Sequence, residues 1–326
     1  MKYLFVFLLV SMSSIVISQN RYHVDKTTFK TTFALTYLSE ADTVVFLKHD
    51  MKPINGVIYC DYGDMGIYVK GKRDGLGREW YYNGQLKWES NYKDGREDGL
   101  HRGWHYNGQL KWEGNYKDGK KDGLHREWYE NGQLAYEGNY KDGKKDGLYR
   151  LWRKNGQLWS VDNFKDGKED GLEREWYENG QLKWEFNYKD GREDGLCRGW
   201  YENGQLEYES NYKDGKEDGL GRKWYENGQL MFEFNYKDGK DDGLCRGWHE
   251  NGQLEYEGNY KDDGLVDGIY RQWHENGQLW SEYNYDDGIY RQWYEDGQLM
   301  FEENYKDGNP ISLKCYDENG NKIICE

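Results

Sequence analysis

The stretch EWYENGQLKWEFNYKDG occupies residues 175–191, and close copies of it recur along the chain. One copy, Leu124 to Tyr140, reads LHREWY, then ENG, then QLAYEGNY. Two runs rich in aromatic residues that flank a glycine-containing turn are typical of a β-hairpin. Frequent glycine and the lack of a long helical period disfavour a helix. Each copy therefore predicts one hairpin.

The copies are regularly spaced. The turn sequence Asn-Gly-Gln-Leu begins at positions 83, 107, 131, 155, 179, 203, 227 and 251, so that the interval from one copy to the next is constant. Two further copies begin at Asn276 and Asp296, after one slightly longer and one shorter interval, and the pattern degenerates around Gly66 and around Asn319-Gly320. Degenerate end copies are typical caps of repeat arrays.

This spacing predicts an all-β fold: an elongated repeat array of antiparallel β-hairpins that forms a long single-layer sheet. We expect a degenerate capping repeat at residues 51–75, ten hairpin repeats at 76–308 and a degenerate C-terminal capping hairpin at 309–326.

Two registers are open for each hairpin. A two-residue Asn131-Gly132 turn places Arg126 opposite Glu137, whereas a three-residue loop from Glu130 places Trp128 opposite Leu134 and Arg126 opposite Tyr136. Positions that barely vary among copies all fall on one face in the three-residue register, which we therefore favour. The charge pair between Arg126 and Glu137 supports the alternative register, with the two-residue turn.

In the favoured register, each copy presents Leu, Arg, Trp, Leu, an aromatic residue and Tyr on one face. We expect the arginine to lie over Trp or Tyr rings. Neighbouring rings would cover part of this aromatic face, because a single-layer sheet has no second layer. The connection KDGKKDG, residues 141–147, is predicted to be a solvated turn.

The first residues, MKYLFVFLLVSMSSIVIS, combine a lysine, an apolar run and small residues. This pattern predicts a signal peptide at 1–18, followed by a lead-in segment at 19–50. We therefore expect a secreted, periplasmic or cell-surface protein that has no membrane span after signal removal.

Composition and net charge argue against several classes of function. A net charge of −15 makes nucleic acid an unlikely partner. Few aliphatic residues argue against a globular enzyme core, and abundant Tyr and Trp argue against disorder. We expect no enzyme.

The chain has five cysteines, at residues 60, 197, 245, 315 and 325. Cys197 and Cys245 lie two copies apart, roughly 19 Å in a stacked sheet, which is beyond disulfide reach. Cys315 and Cys325 flank a predicted turn and are a candidate disulfide.

No catalytic, cofactor-binding or metal-binding residue is predicted. The Asp-rich loops fail the calcium-loop pattern, since Arg192 and Tyr201 occupy ligand positions counted from Asp190. The histidines do not converge, and His101 and His125 fall at a variable position predicted to face outward, as surface residues.

Two copies share a deviation. They read QLWS, which moves Trp159 and Trp280 outward and puts Ser160 and Ser281 in the place of an aromatic residue. A local bulge or a neutral variant is one explanation. An exposed aromatic contact at Trp159 and Trp280 for a ligand is the other.

The composite phrase YENGQLKWEGNYKDGKKDG resembles the MORN-repeat variant family of bacterial proteins, over about residues 51–326. The resemblance implies tandem hairpins used as a scaffold or binding surface, without catalysis. It also covers YwqK-like antitoxin-type proteins.

The sequence thus favours a noncatalytic secreted or periplasmic scaffold that binds another protein, or a second copy of itself, through an aromatic sheet face. The alternatives are a protein that binds carbohydrate or a cell surface through regularly spaced rings, and an antitoxin or immunity protein.

Overall fold

The computed structural model describes residues 20–23, 55–262, 264–265 and 268–325. These residues form strands, turns and short connections, with no helix among them. They fall into two compact units, which divide between Asp122 and Gly123. The predicted signal peptide (1–18) and most of the predicted lead-in segment (19–50) lie outside the described residues. The prediction of an all-β array of antiparallel hairpins is confirmed.

Unit 1 begins with a parallel pair of strands, and all its later pairs are antiparallel. Its strands are β1 (Asn20–His23), β2 (Gly56–Cys60), β3 (Gly63–Val69), β4 (Lys72–Trp80), β5 (Leu86–Lys93), β6 (Arg96–Trp104) and β7 (Leu110–Lys117). The next strand, β8 (Lys120–Trp128), contains the division between the units.

Unit 2 repeats one antiparallel hairpin, in which a short extra strand often precedes the first long one. Its strands are β9 (Leu134–Lys141), β10 (Lys144–Trp152), β11 (Leu158–Lys165), β12 (Lys168–Glu169), β13 (Gly171–Trp176), β14 (Leu182–Lys189), β15 (Arg192–Glu193), β16 (Gly195–Trp200), β17 (Leu206–Lys213), β18 (Lys216–Glu217), β19 (Gly219–Trp224), β20 (Leu230–Lys237), β21 (Lys240–Asp241), β22 (Gly243–Trp248), β23 (Leu254–Lys261), β24 (Gly264–Leu265), β25 (Ile269–Trp273), β26 (Leu279–Asn284), β27 (Ile289–Trp293), β28 (Leu299–Lys306), β29 (Asn309–Tyr316) and β30 (Lys322–Ile323). Contacts between strands join neighbours along the sheet, so each unit is a single layer over the residues described.

The Asn-Gly turn closes each hairpin with a three-residue loop, as predicted. Tyr129 N–H donates to the Gln133 carbonyl at 2.9 Å, and Gly132 N–H donates to the Tyr129 carbonyl at 2.9 Å. Gly132 has a positive φ, in the left-handed region that favours glycine. The Asn131 side chain accepts the Gln133 N–H at 3.0 Å. These bonds explain why Asn and Gly recur together.

Beyond the turn, the favoured register is wrong. Trp128 pairs with Leu134 as predicted, but the next pair along the hairpin is Glu127 with Tyr136. Ala135 is therefore an unpaired extra residue, a β-bulge. From this bulge onward the rival register holds, and Arg126 Nε lies 2.8 Å from Glu137 Oε2. Because of this bulge, the hairpin contains both the three-residue turn with its left-handed glycine and the direct Arg–Glu pair. The bulge recurs in each complete copy.

The connection KDGKKDG is mostly strand, in contrast to the predicted seven-residue turn. Lys141 pairs with Lys144 across a two-residue turn. Asp142 and Gly143 both have positive φ, which is typical of a type I′ turn. Residues 144–145 already belong to β10, because a type I′ turn matches the twist of the strands it joins.

Hydrogen bonds also tie each Asn-Gly turn to the next turn along the sheet. Tyr129 Oη donates to the Trp152 carbonyl at 2.8 Å, and Asn131 Nδ2 donates to the Lys154 carbonyl at 2.8 Å. Residues at equivalent positions repeat the tyrosine bond: Tyr81 in unit 1 and Tyr177, Tyr201 and Tyr225 in unit 2. Successive hairpins are therefore coupled at one edge through fixed Tyr and Asn side chains.

The structure contains the candidate disulfide and does not pair Cys197 with Cys245. Cys315 and Cys325 form a disulfide that closes the C-terminal hairpin. Cys197 and Cys245 are free and buried, as is Cys60.

Candidate functional site

The bulge gives each hairpin two chemically different faces. Directly opposed residues of an antiparallel pair project from the same face. We call one side the aromatic face, which carries the residues equivalent to His125, Glu127, Tyr136, Gly138 and Tyr140. The other side, which we call the ladder face, carries those equivalent to Leu124, Arg126, Trp128, Leu134 and Glu137. The predicted face, which combined Arg126 with Tyr136 and Tyr140, is therefore wrong, because the bulge moves the tyrosines to the side opposite the arginine.

The ladder face alternates arginine and glutamate. Glu137 accepts from Arg126 Nε and from Arg150 Nη1, both at 2.8 Å, and these bonds hold its pKa below the usual range. Ion pairs recur at Arg78–Glu89 and Arg102–Glu113 in unit 1, and at Arg174–Glu185, Arg198–Glu209, Arg222–Glu233, Arg246–Glu257, Arg271–Glu282 and Arg291–Glu302 in unit 2. These arginines pair with carboxylates, and the tyrosine rings over which they were predicted to lie are on the opposite face. The charges are partly exposed, so each pair contributes at most about 1 kcal/mol.

The aromatic face covers itself by matching large residues with small ones. In several hairpins the central pair joins a large residue to a small one, or two small ones, although Glu173 pairs with Phe186 and Tyr270 with Tyr283. In unit 1 the pair is His101 with Gly114. In unit 2 it is His125 with Gly138, Cys197 with Ser210 and Gly221 with Phe234. A ring from one strand thereby lies over a glycine or serine of the next, which replaces the missing second layer.

The two histidines predicted at the surface are buried, so that prediction is wrong. His101 is 2% exposed and His125 is 6% exposed. The Tyr116 ring stacks on His101 at 4.3 Å, and the Tyr140 ring meets His125 edge-on at 4.9 Å. The bulge turns the variable position onto the aromatic face, where neighbouring rings enclose it.

Burial makes the nucleophilic groups of this face unreactive. Cys197 and Cys245 are fully buried, and loss of hydration raises the pKa of each thiol to about 11. Burial likewise raises the pKa of the Tyr136 and Tyr149 hydroxyls. At neutral pH these groups stay protonated, so they are poor nucleophiles.

On the aromatic face, two cations from the start of a first strand lie over rings. In unit 1, Arg73 Cζ lies 5.3 Å from the Trp88 ring centroid and 5.1 Å from that of Tyr92. In unit 2, Lys145 Nζ lies 4.6 Å from the Tyr149 centroid and 4.2 Å from that of Phe164. The aromatic face therefore accommodates both a guanidinium and an ammonium group.

One copy of unit 2 departs from the ladder pattern. Val161 pairs with both Arg150 and Arg174, at a position where the other strands of this type carry glutamate. Its neighbour Asp162 lies on the aromatic face instead. Burial, and then the nearby carboxylates of Asp162 and Glu169, raise the pKa of Glu173 to about 7.

Trp159 and Trp280 both occupy the bulge position. The Arg153 guanidinium lies 5.9 Å from the Trp159 ring, and the His274 ring lies 6.2 Å from that of Trp280, which is 38% exposed. Ser160 and Ser281 take the ring position and are each 3% exposed. A binding role for the two tryptophans stays a prediction.

Ser281 stands where most copies carry an aromatic ring, and beside it lies a cavity of about 250 Å³ on the aromatic face. Ser281 donates to Gln272 Oε1 at 3.0 Å. The lining residues are Tyr270, Gln272, Ser281, Tyr283, Tyr290 and Tyr305. Sequence analysis singled out Ser281 but missed the tyrosines, because only the register shows that they converge on it.

The part of the chain that the structure describes contains no group of three or more His, Cys, Asp or Glu side chains suited to a metal ion. Nor does a long apolar helix of membrane-spanning character occur among those residues.

A family model described as "MORN repeat variant" matches nine segments of the chain: 73–94, 97–118, 121–142, 169–190, 193–214, 217–238, 241–262, 266–287 and 286–307. The interval 143–168, which it leaves unmatched, holds Trp159, Val161 and Asp162. No match was found among curated proteins.

Solved structures similar to this chain include a crystal structure of TcdB2-TccC3, with 12% identity and a TM-score of 0.19, over 89% of this chain and 18% of that one. A Tc holotoxin pore of Photorhabdus luminescens matches with 13% identity and a TM-score of 0.19, over 89% of this chain and 18% of that one. The chain thus spans less than a fifth of the solved chains it matches.

Proposed function

Since the chain belongs to the MORN repeat variant family, we propose that it is a noncatalytic, exported repeat scaffold that binds another protein through its aromatic face. Family membership suggests a scaffold for protein interaction. More specifically, we propose that the C-terminal copies of unit 2 carry the binding surface.

The observation that carries this proposal is the distribution of exposed apolar side chains. Among the described residues of unit 2, the exposed large apolar side chains lie between residues 280 and 324. They are Trp280, Tyr285, Ile311, Leu313, Ile323 and Ile324, the last of them 90% exposed. Apolar groups gathered on one part of a surface are typical of a protein interaction site.

The chemistry of the aromatic face supports a binding role rather than catalysis. Its thiols are buried and protonated, and some of its tyrosine hydroxyls take part in hydrogen bonds, such as that of Tyr136 to Tyr140 at 2.9 Å. The proposal therefore assigns no catalytic residue.

Export is proposed from the leader-like sequence of residues 1–18, which has the features of a secretory signal. Fractionation of the native cells, followed by N-terminal sequencing of the protein, tests it. A processed chain outside the cytoplasm is expected, and an unprocessed cytoplasmic chain would contradict export.

Site-specific photo-crosslinking in the native cells tests the binding surface. A photoreactive amino acid replaces Trp280 or Tyr285, and a control replaces Glu178, an exposed turn residue of an earlier copy. We expect one protein to crosslink from both C-terminal positions and not from residue 178. Equal crosslinking from all three, or none, would refute the proposed surface.

A further inference from the structure

The cavity beside Ser281 lies where the repeat pattern lacks a ring. Apart from Ser160, residues equivalent to Ser281 in other copies of unit 2 are aromatic, including Trp184, Tyr208, Phe232, Tyr256 and Phe301. Ser281 instead pairs with Gln272 on one side and Gln292 on the other. Four tyrosines remain around this gap, so the site offers several ring faces and hydroxyl groups to a small planar group.

In two other copies, a cation from the chain itself lies over rings of the aromatic face. In unit 1, the Arg73 guanidinium lies over the rings of Tyr68, Trp88 and Tyr92, whose centroids are 5.9, 5.3 and 5.1 Å away. Its Nε donates to Tyr68 Oη at 2.9 Å and its Nη1 to Tyr92 Oη at 3.3 Å. A guanidinium therefore satisfies both the rings and the hydroxyl groups of this surface.

At the Ser281 cavity the position that supplies Arg73 and Lys145 is acidic, as it is in the copies with Glu97 and Glu193. Counted from the following glycine, it is Asp286, which lies in the shortened turn between β26 and β27. The six lining residues are uncharged.

A carboxylate lies next to this cavity on the same face. Glu303 pairs with Tyr290, which lines the cavity. Its Oε2 accepts a hydrogen bond from Tyr305 Oη at 2.8 Å, and Tyr305 is a lining residue too. Tyrosine rings next to a carboxylate attract a cation, and the net charge of −15 adds to that attraction.

We propose that this cavity binds the guanidinium group of an arginine side chain from the partner protein. The inference rests on the proposed function and specifies the partner chemistry at its surface. Arginine fits better than lysine, because a planar guanidinium stacks on rings while its several N–H groups donate to tyrosine hydroxyls, as Arg73 does.

Titration of the full chain with Nα-acetyl-arginine amide, followed by ligand-observed NMR, tests this site. Nα-acetyl-citrulline amide has nearly the same shape without the charge and serves as the control ligand. We expect the arginine probe to bind about tenfold more tightly than the citrulline probe, and binding to weaken as salt rises.

Two variants locate the site. Ser281→Tyr restores the ring that other copies carry, so the chain should fold while the arginine probe loses about tenfold in affinity. Glu303→Gln keeps the shape, and removal of the carboxylate should weaken binding severalfold. Ser160→Tyr makes the same change in the other QLWS copy, and we expect unchanged affinity.

Equal binding of both probes, or arginine binding that Ser281→Tyr leaves unchanged, would overturn the inference. Binding of N-acetylglucosamine or glucose in place of the arginine probe would identify a carbohydrate site instead. If the probe fails while Trp280 and Tyr285 still crosslink one protein, the cation site alone is refuted. If the probe binds but no protein crosslinks, the cavity binds a free small-molecule guanidinium. The proposal that the arginine belongs to a partner protein is then refuted.

Discussion

Gly138 lies against the ring of Tyr149, its partner on the next strand: a methyl group built on Gly138 would come 2.7 Å from Tyr149 Cε1. Tyr149 is 2% exposed in a sheet that has no second layer over it, and the small residue opposite leaves room for its ring.

This contact predicts that Gly138→Ala destabilises unit 2. The added methyl group must displace the Tyr149 ring, so we expect the free energy of unfolding to fall by about 1–3 kcal/mol. Urea denaturation measures it. The matched control is Ser210→Ala, which lies at the same position of another copy and adds no atom. A neutral Gly138→Ala, with stability no more changed than in the control, would show that the ring does not need this space.

The ladder face predicts a stabilising substitution. Val161 interrupts the alternation between Arg150 and Arg174. Val161→Glu should restore an ion pair and raise the free energy of unfolding by about 0.5–1 kcal/mol. Thermal unfolding at low and high salt checks this, because screening should remove most of the gain. Val161→Gln has a similar size and no charge, so an equal gain from glutamine would contradict the ion-pair explanation.

The raised pKa of Glu173 predicts that the stability of the fold depends on pH. Its pKa is about 7 in the folded chain and 4.5 in the ordinary case, so between these values the folded state holds a proton that the unfolded state releases. The contribution of Glu173 to stability therefore falls as pH rises through this range and is constant above it.

Glu173→Gln should remove this decline and raise the free energy of unfolding at pH 8 by about 1–2 kcal/mol, a value reduced for the partial hydration of the carboxyl group. Denaturant unfolding at pH 5 and pH 8 measures the difference. Glu178→Gln, in an exposed turn, is the control and should leave the pH profile unchanged. An unchanged profile for Glu173→Gln as well would refute the assignment.

The buried thiols predict slow chemical modification. Cys197 and Cys245 are fully buried and their pKa is raised to about 11. Iodoacetamide should therefore label them only after unfolding. Mass spectrometry of labelled peptides with and without urea measures this. Rapid labelling of either residue in the folded chain would contradict the enclosed aromatic face.

Sequence patterns predict the hairpins because turn chemistry is local. Asn131-Gly132 requires a left-handed glycine, and Asp142-Gly143 forms its own tight turn. The position of Cys315 and Cys325 around a turn likewise made their disulfide a candidate, which the structure contains.

The distribution of residues between the two faces of the sheet was not predictable from turn chemistry. Near-invariance among copies grouped Arg126 with Tyr140, but the two recur for different reasons, one as a partner of Glu137 and the other as a covering ring. A single bulge at Ala135 separates them, and no residue type marks that bulge in every copy. The same shift buries His125 and assembles the tyrosines around Ser281, which single positions cannot show.

The central claim is that the hairpins form a modular array whose C-terminal copies carry the binding surface. Deletion of residues 195–218 removes one whole copy and joins Asp194 to Gly219 in register, which a modular array should tolerate. The most direct measurement is the crosslinking yield from a photoreactive residue at position 280 in this deleted protein, with circular dichroism as the check on folding. A folded protein with the yield of the full chain is predicted. Collapse of the fold, or loss of crosslinking from a folded protein, would contradict the account.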